Sequence, residues 1–265
     1  MSGPIFGKTY INFDVNSIER NIESIKNDLV LRKVLIFKNA DISVPDVIEF
    51  LKKIHSNHNY LMIDAGRSSE PLFDFFESNK KPLPSSNEYF SRWGVDRWHV
   101  DGSWEEHVVD ISCMHMRTPS PEGGNTRFVD LERAYDCLEK EHIDFIYRIK
   151  SPGWNADSNE FPAYRKPEYA HPSIRVHPVT KNLSIFYNGQ NTIGKDYDKW
   201  NAYKLSLLNI FDMPDNQIEV SWSENDLVVW DNRCVAHSVM GGFARSQRIY
   251  DKIEIGKSEV ETIAL

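Results

Sequence analysis

The chain has 265 residues, 40% of them hydrophobic and 12% aromatic, enough apolar material for a sizeable core and too much for a disordered polymer. A formal net charge of −8, with no Lys/Arg run able to track a phosphate backbone, excludes nucleic acid as the expected partner, and no apolar run is long enough to span a bilayer. Three cysteines (Cys113, Cys137, Cys234) form no C-x-x-C pair and the N-terminus shows no secretory leader, so the expectation is a cytoplasmic protein with buried free thiols.

Val15 to Leu29 predicts a helix, because Ile18, Ile22, Ile25 and Leu29 recur at helical spacing among charges. Lys33 to Lys38 reads as a buried strand. Asp46 to His55 reads as a second helix, with Val47, Phe50, Leu51 and Ile54 on its apolar face and start signals from Asp41 to Pro45. From Asp64 to Asp96 the pattern dissolves into polar, turn-rich chain, the composition of a lid or other functional loop. Short apolar runs then predict strands at Val108–Arg117, Thr126–Val129, Leu183–Tyr187, Asp226–Val235 and Arg248–Ile255, interrupted by helices at Leu131–Lys150 and Asp198–Phe211. A second loop-rich stretch runs from Gly153 to Pro172. There is no repeat and no linker. The expectation is one domain over residues 1–265, mainly β, with helices flanking a barrel or sandwich.

Trp98-His-Val-Asp101 places an imidazole and a carboxylate two residues apart, and on extended chain alternate side chains share a face. A further histidine, His237, is delivered where the apolar run from Asp226 ends in a polar turn. Two histidines and one carboxylate that leave coordination positions open are the ligand pattern of non-haem iron(II) oxygenases. Gly241-Gly242 permits a reversal that would lay the strands of His237 and Arg248 side by side, at one pocket. A guanidinium grips a carboxylate bidentately, as the far end of a dicarboxylate co-substrate requires. Thr126, after Gly123-Gly-Asn, could add a hydroxyl to that carboxylate. Each piece alone has a plainer reading: a surface imidazole beside a solvated carboxylate, a surface arginine, an ordinary turn.

Taken in order, Trp98-His-x-Asp101, Gly123-Gly-Asn-Thr126, His171-Pro with Arg175-Val-His-Pro178, Phe186-Tyr-Asn188, Trp230-Asp-Asn-Arg233, His237 and Arg248 resemble the taurine/2-oxoglutarate dioxygenase family, from about Trp98 to Ile255. The resemblance implies a double-stranded β-helix, or jelly-roll, core. It implies iron(II) held by His99, Asp101 and His237, and 2-oxoglutarate held by Arg248 with Thr126. With dioxygen as co-substrate, the implied outcome is oxidation of a substrate C–H bond, by default hydroxylation, with release of succinate and carbon dioxide.

Departures from the family pattern bear on the substrate. Where taurine-specific members carry a second arginine four residues after the first, this chain has Lys252, a point charge rather than a fork. Trp93-Gly-Val-Asp-Arg97 also departs from the family's approach to the metal motif. Candidate substrate contacts are Asp96, Arg97, Trp104, Asn188 and Lys252, and the expected substrate is a small polar molecule, carboxylate-bearing or amino-acid-like. Desaturation or cyclisation would use the same machinery, and a homo-oligomer is compatible with it. A metal-binding or sensing jelly-roll without turnover is the reading from another class. A zinc hydrolase would need Glu105 or Glu106 as general acid or base.

Overall fold

In the computed structural model the described residues are 6–11, 13, 18–67, 98–103, 105–147, 149–152, 170–187, 197–241, 243 and 248–262. Helix α1 (Ile18–Arg32) and α2 (Val44–Ile54) lead into the sheet strands. Ser43 caps α2 by accepting from the Asp46 amide, Pro45 sits in its first turn, and Lys52 and Lys53 lie in its last, where a helix dipole favours cations.

Six strands form one sheet. In spatial order they are β1 (Lys8–Ile11), β2 (Val34–Lys38), β11 (Leu227–Asp231), β4 (Val108–Thr118), β13 (Ile249–Ser258) and β3 (Leu61–Arg67). Three strands, β10 (Gln217–Val220), β5 (Thr126–Asp130) and β12 (Val235–Val239), form a second sheet. The two sheets meet face to face: Val34, Met114, Met116, Val228 and Trp230 of the first pack on Phe128, Val220 and Val235 of the second. On its other face the large sheet carries α1 and α2, through Ile25, Leu29, Val47, Phe50 and Leu51 against Ile111, Cys113, Val229 and Ile253. Covered on both faces, β4 is buried without alternation from Val108 to Met116. This is the jelly-roll core the family resemblance implies.

Three helices close the other side: α3 (Leu131–Cys137), α4 (Lys140–Ile146) and α5 (Tyr197–Phe211). With them stand two small ribbons, β6 (Lys150–Pro152) with β7 (Ala170–Pro172), and β8 (Ile174–Val176) with β9 (Leu183–Ile185). Trp98, Val100, Val129 and Ala236 join Leu131, Tyr203, Leu207 and Phe211 in this core.

Four expectations are corrected. The helix expected over Leu131–Lys150 is two short helices, broken where Leu138 and Glu139 take extended backbone. The strand expected over Asp226–Val235 is β11, a turn at 232–234, and β12; Asp231 makes the turn by accepting from the Arg233 amide at 3.1 Å through Oδ1 and from the Cys234 amide at 3.2 Å through its carbonyl. His237 therefore lies in the middle of β12 rather than at a strand end, and β12 does not lie beside β13. The two belong to opposite sheets and face each other across the core. Cys113 and Cys234 are buried free thiols, but Cys137 is exposed. None of the helices among the described residues is long and apolar enough to cross a membrane.

Candidate metal and co-substrate centre

His99 and His237 meet as an antiparallel bridge: the His99 amide donates to the His237 carbonyl at 3.0 Å, and the His237 amide donates back at 2.9 Å. Directly opposed residues present side chains to one face, and the two imidazole centroids lie 4.2 Å apart. Asp101, two residues on, enters the same space, with Oδ1 3.6 Å from His237 Nε2. One ligand atom from each of the three residues lies within 4.8 Å of the others. Asn232 holds the Asp101 backbone from both sides, accepting from its amide at 2.9 Å and donating to its carbonyl at 3.0 Å.

Burial pushes His237 well below the ordinary imidazole value, so it stays neutral with a lone pair to give. Burial opposes ionisation of Asp101, but Lys252, His237 and His99 outweigh it and hold the carboxyl below the usual range. Two imidazoles and an ionised carboxylate, converging and largely buried, fit a divalent ion of the iron class.

The second pole is Arg248, 5% exposed. Among the described residues no carboxylate pairs with it. Its Nη2 donates to Thr126 Oγ1 at 3.3 Å and to Met114 Sδ at 3.6 Å, its Nε has no partner among the described residues, and Trp222, Phe243 and Tyr250 surround it at 5.8, 5.5 and 4.9 Å from their ring centroids. Burial draws its pKa below the usual arginine value. A buried guanidinium with a free donor and an aromatic wall is a receptor for an anion. Thr126 and Phe128 are alternate residues of β5, and Phe128 lies opposite His237 in the pairing with β12. The span from the cluster of His99, Asp101 and His237 to Arg248 therefore runs along one sheet face.

Residues 2–251 match the family described as taurine catabolism dioxygenase TauD, TfdA family. The chain belongs to the TauD/TfdA family of 2-oxoglutarate-dependent dioxygenases. It is 22% identical over 240 residues to an alpha-ketoglutarate-dependent 2,4-dichlorophenoxyacetate dioxygenase of a Burkholderia species, covering 82% of this chain and 79% of that one. An alpha-ketoglutarate-dependent sulfonate dioxygenase of Saccharomyces cerevisiae is 30% identical over 155 residues, 54% of this chain and 37% of that longer protein. In fold it is similar to AAD-2, crystallised with Mn(II) and N-oxalylglycine, at a TM-score of 0.75 and 20% identity, covering 100% of this chain and 98% of that one.

Of the remaining candidates in this dioxygenase, Asp96, Arg97, Trp104 and Asn188 lie outside the described residues. Lys252 does share the inner face of β13 with Tyr250, but its Nζ is 2.6 Å from Asp101 Oδ2 and 3.6 Å from Glu254 Oε1. Its charge is thus engaged by Asp101 and Glu254, so the case for an anionic substrate loses its support from Lys252. Glu105 is paired with Lys257 and Glu106 is exposed, so neither stands as the acid or base a hydrolase would need.

Two residues of the TauD/TfdA centre escape a reading by motif. Trp222 Nε1 donates to Thr126 Oγ1 at 3.0 Å; with Arg248 also donating, the hydroxyl's own hydrogen is directed elsewhere. The only signal was an indole in polar chain. Asn232 appeared only as part of Trp230-Asp-Asn-Arg233. A second potential ligand cluster, Glu132, His177 and Cys234, is a hydrogen-bonded scaffold. His177 Nδ1 accepts from the Val179 and Thr180 amides and Nε2 pairs with Asp231, while Glu132 is taken by Lys33, Thr180 and Asn182.

Proposed function

We propose that His99, Asp101 and His237 hold iron(II), that Arg248 and Thr126 hold the distal carboxylate of 2-oxoglutarate, and that the enzyme hydroxylates a C–H bond of a small anionic molecule. The observation that carries this reading is the pairing of a three-ligand cluster with a buried arginine that has no carboxylate partner among the described residues. When bound, the iron supplies oxidation of the C–H bond by dioxygen, coupled to decarboxylation of 2-oxoglutarate. The chain's own part is orientation. Arg248 and Thr126 fix one end of the co-substrate so that its 2-oxo acid end reaches the ligand cluster, and Phe128, Trp230 and Trp222 exclude water between the poles. The Mn(II) and N-oxalylglycine named with the fold neighbour are a divalent ion and a dicarboxylate of this kind. Small anions (a phenoxyacetate, a sulfonate) are the substrates named for the relatives. A cytoplasmic setting fits the three free cysteines.

The test is an anaerobic titration of apoprotein with iron(II) and 2-oxoglutarate, following the visible charge-transfer band of the chelate. Wild type should develop the band, Asp101→Ala should lack it, and Arg248→Ala should need about 100-fold more 2-oxoglutarate, the loss of two charged hydrogen bonds. Folded wild-type protein that shows no band overturns the assignment of these residues.

A further inference from the structure

Asp101 does not present two equivalent oxygens. Oδ2 accepts from Lys252 Nζ at 2.6 Å and from Ser112 Oγ at 2.8 Å. Oδ1 is the oxygen turned to His237, 3.6 Å from Nε2. Ser112 is fully buried, and the Lys252 and Asp101 side chains are each 7% exposed, so water does not exchange easily with these donors. Their placement follows from strand register: in the β4–β13 ladder Ser112 stands opposite Glu254 and Lys252 opposite Met114, which puts both donors on the inner face from neighbouring strands. The Lys252 ammonium lies 5.3 Å over the Trp230 ring and 3.6 Å from Glu254, so its position is fixed from more than one side.

Resting on the iron reading above, we propose that Lys252 and Ser112 are positioning residues that keep Asp101 Oδ2 off the metal, so that Asp101 ligates through Oδ1 alone. A carboxylate with both oxygens free readily chelates a divalent ion through both. A six-coordinate ion with three protein ligand atoms has about three open positions, and a bidentate Asp101 would leave about two. Because a chelating co-substrate would take two positions, a carboxylate held to one oxygen by Lys252 and Ser112 would leave room that a two-oxygen Asp101 would fill. The cation at position 252 then serves the ligand set rather than the primary substrate. A lysine suits this work better than a fork, because a compact ammonium caps one oxygen where a guanidinium tends to span both.

Mn(II) binding followed by water-proton relaxivity separates the outcomes, since inner-sphere relaxivity scales with the number of exchanging waters on the ion. Relaxivity per bound Mn(II) should fall by about a third in Lys252→Met, as about three metal-bound waters become about two. A smaller fall is expected in Ser112→Ala, which removes one of the two donors to Oδ2. Equal relaxivity per bound ion in wild type, Lys252→Met and Ser112→Ala overturns the proposal, even if the variants bind Mn(II) about 10–100-fold more weakly, the signature of a purely structural prop. If Lys252→Met does not fold, Ser112→Ala decides alone. A wild-type protein that binds no Mn(II), or one whose binding is unaltered by Asp101→Ala, instead overturns the ligand assignment itself.

Discussion

Arg248→Met should make this dioxygenase more stable in the absence of 2-oxoglutarate and gain far less stability than wild type in its presence. A buried charge without a counter-ion costs several kcal/mol even after relaxation. Against this stand a bond to Thr126, about 1.5 kcal/mol for a charged donor, a weaker one to Met114 Sδ, and three aromatic faces at about 0.5–1 kcal/mol each. Methionine keeps much of the stem's apolar area in this pocket. The balance favours the variant by about 1 kcal/mol, a rise in Tm of about 2–4 °C for a chain of this size. Adding 2-oxoglutarate to the Mn(II)-loaded proteins inverts the order: at a hundred times the wild-type Kd, wild type gains about 2.7 kcal/mol and the variant, binding about 100-fold more weakly, about 0.4 kcal/mol. Calorimetry of both proteins, with and without the co-substrate, reads all four states. A variant that melts below wild type without 2-oxoglutarate and is stabilised by it as much as wild type would refute the reasoning, since Arg248 would then be an ordinary structural cation.

Asn232→Ala removes the clamp on both Asp101 backbone groups and a bond to the Val109 carbonyl at 2.8 Å; Mn(II) affinity should drop about 10–100-fold by titration, and an unchanged affinity would show that the backbone of Asp101 needs no such hold. Asp231→Asn should destabilise the fold by about 3–5 kcal/mol in urea unfolding, because it leaves Arg233 and its neighbours buried without their anion. Burial opposes ionisation of Asp231, but Arg233 and His177 overcome it and hold its folded pKa below the unfolded carboxylate value of about 3.9. Its stabilisation is therefore complete above that value and lost as pH falls towards the folded pKa, and Asp231→Asn should flatten this acid limb.

What was legible in the sequence was what depends on short separations. His99 and Asp101 announce themselves because a period of two puts both on one face, and α2 because Val47, Phe50, Leu51 and Ile54 fall on one stripe above a Ser-Val-Pro start. Residues whose work is set by pairing between distant strands gave no local signal. Ser112 looks like one small polar residue in an apolar strand until β4 meets β13, and Trp222 like an isolated indole until β5 brings Thr126 to it. Lys252 was legible as a cation on the right face, but its partner lies far back in the chain, so its charge read as free for substrate. The run from Leu227 to Val239 hid a change of sheet, because Val228, Val229, Trp230 and then Val235 are equally apolar on either side of the turn at 232–234.

The bridge between His99 and His237 has a consequence for how the chain comes together. Only two backbone hydrogen bonds join these segments, and more than half the chain lies between them. Closing a loop of that length is entropically slow, and little local structure on the His99 side prepays it, since residues 98–103 belong to no strand or helix. An ion shared by His99, Asp101 and His237 would then act as a cross-link across the ends of that loop, bound only once the loop has closed. Loading would slow unfolding far more than it speeds folding, and the apoprotein would open first at residues 98–103, where amide exchange with solvent would report it.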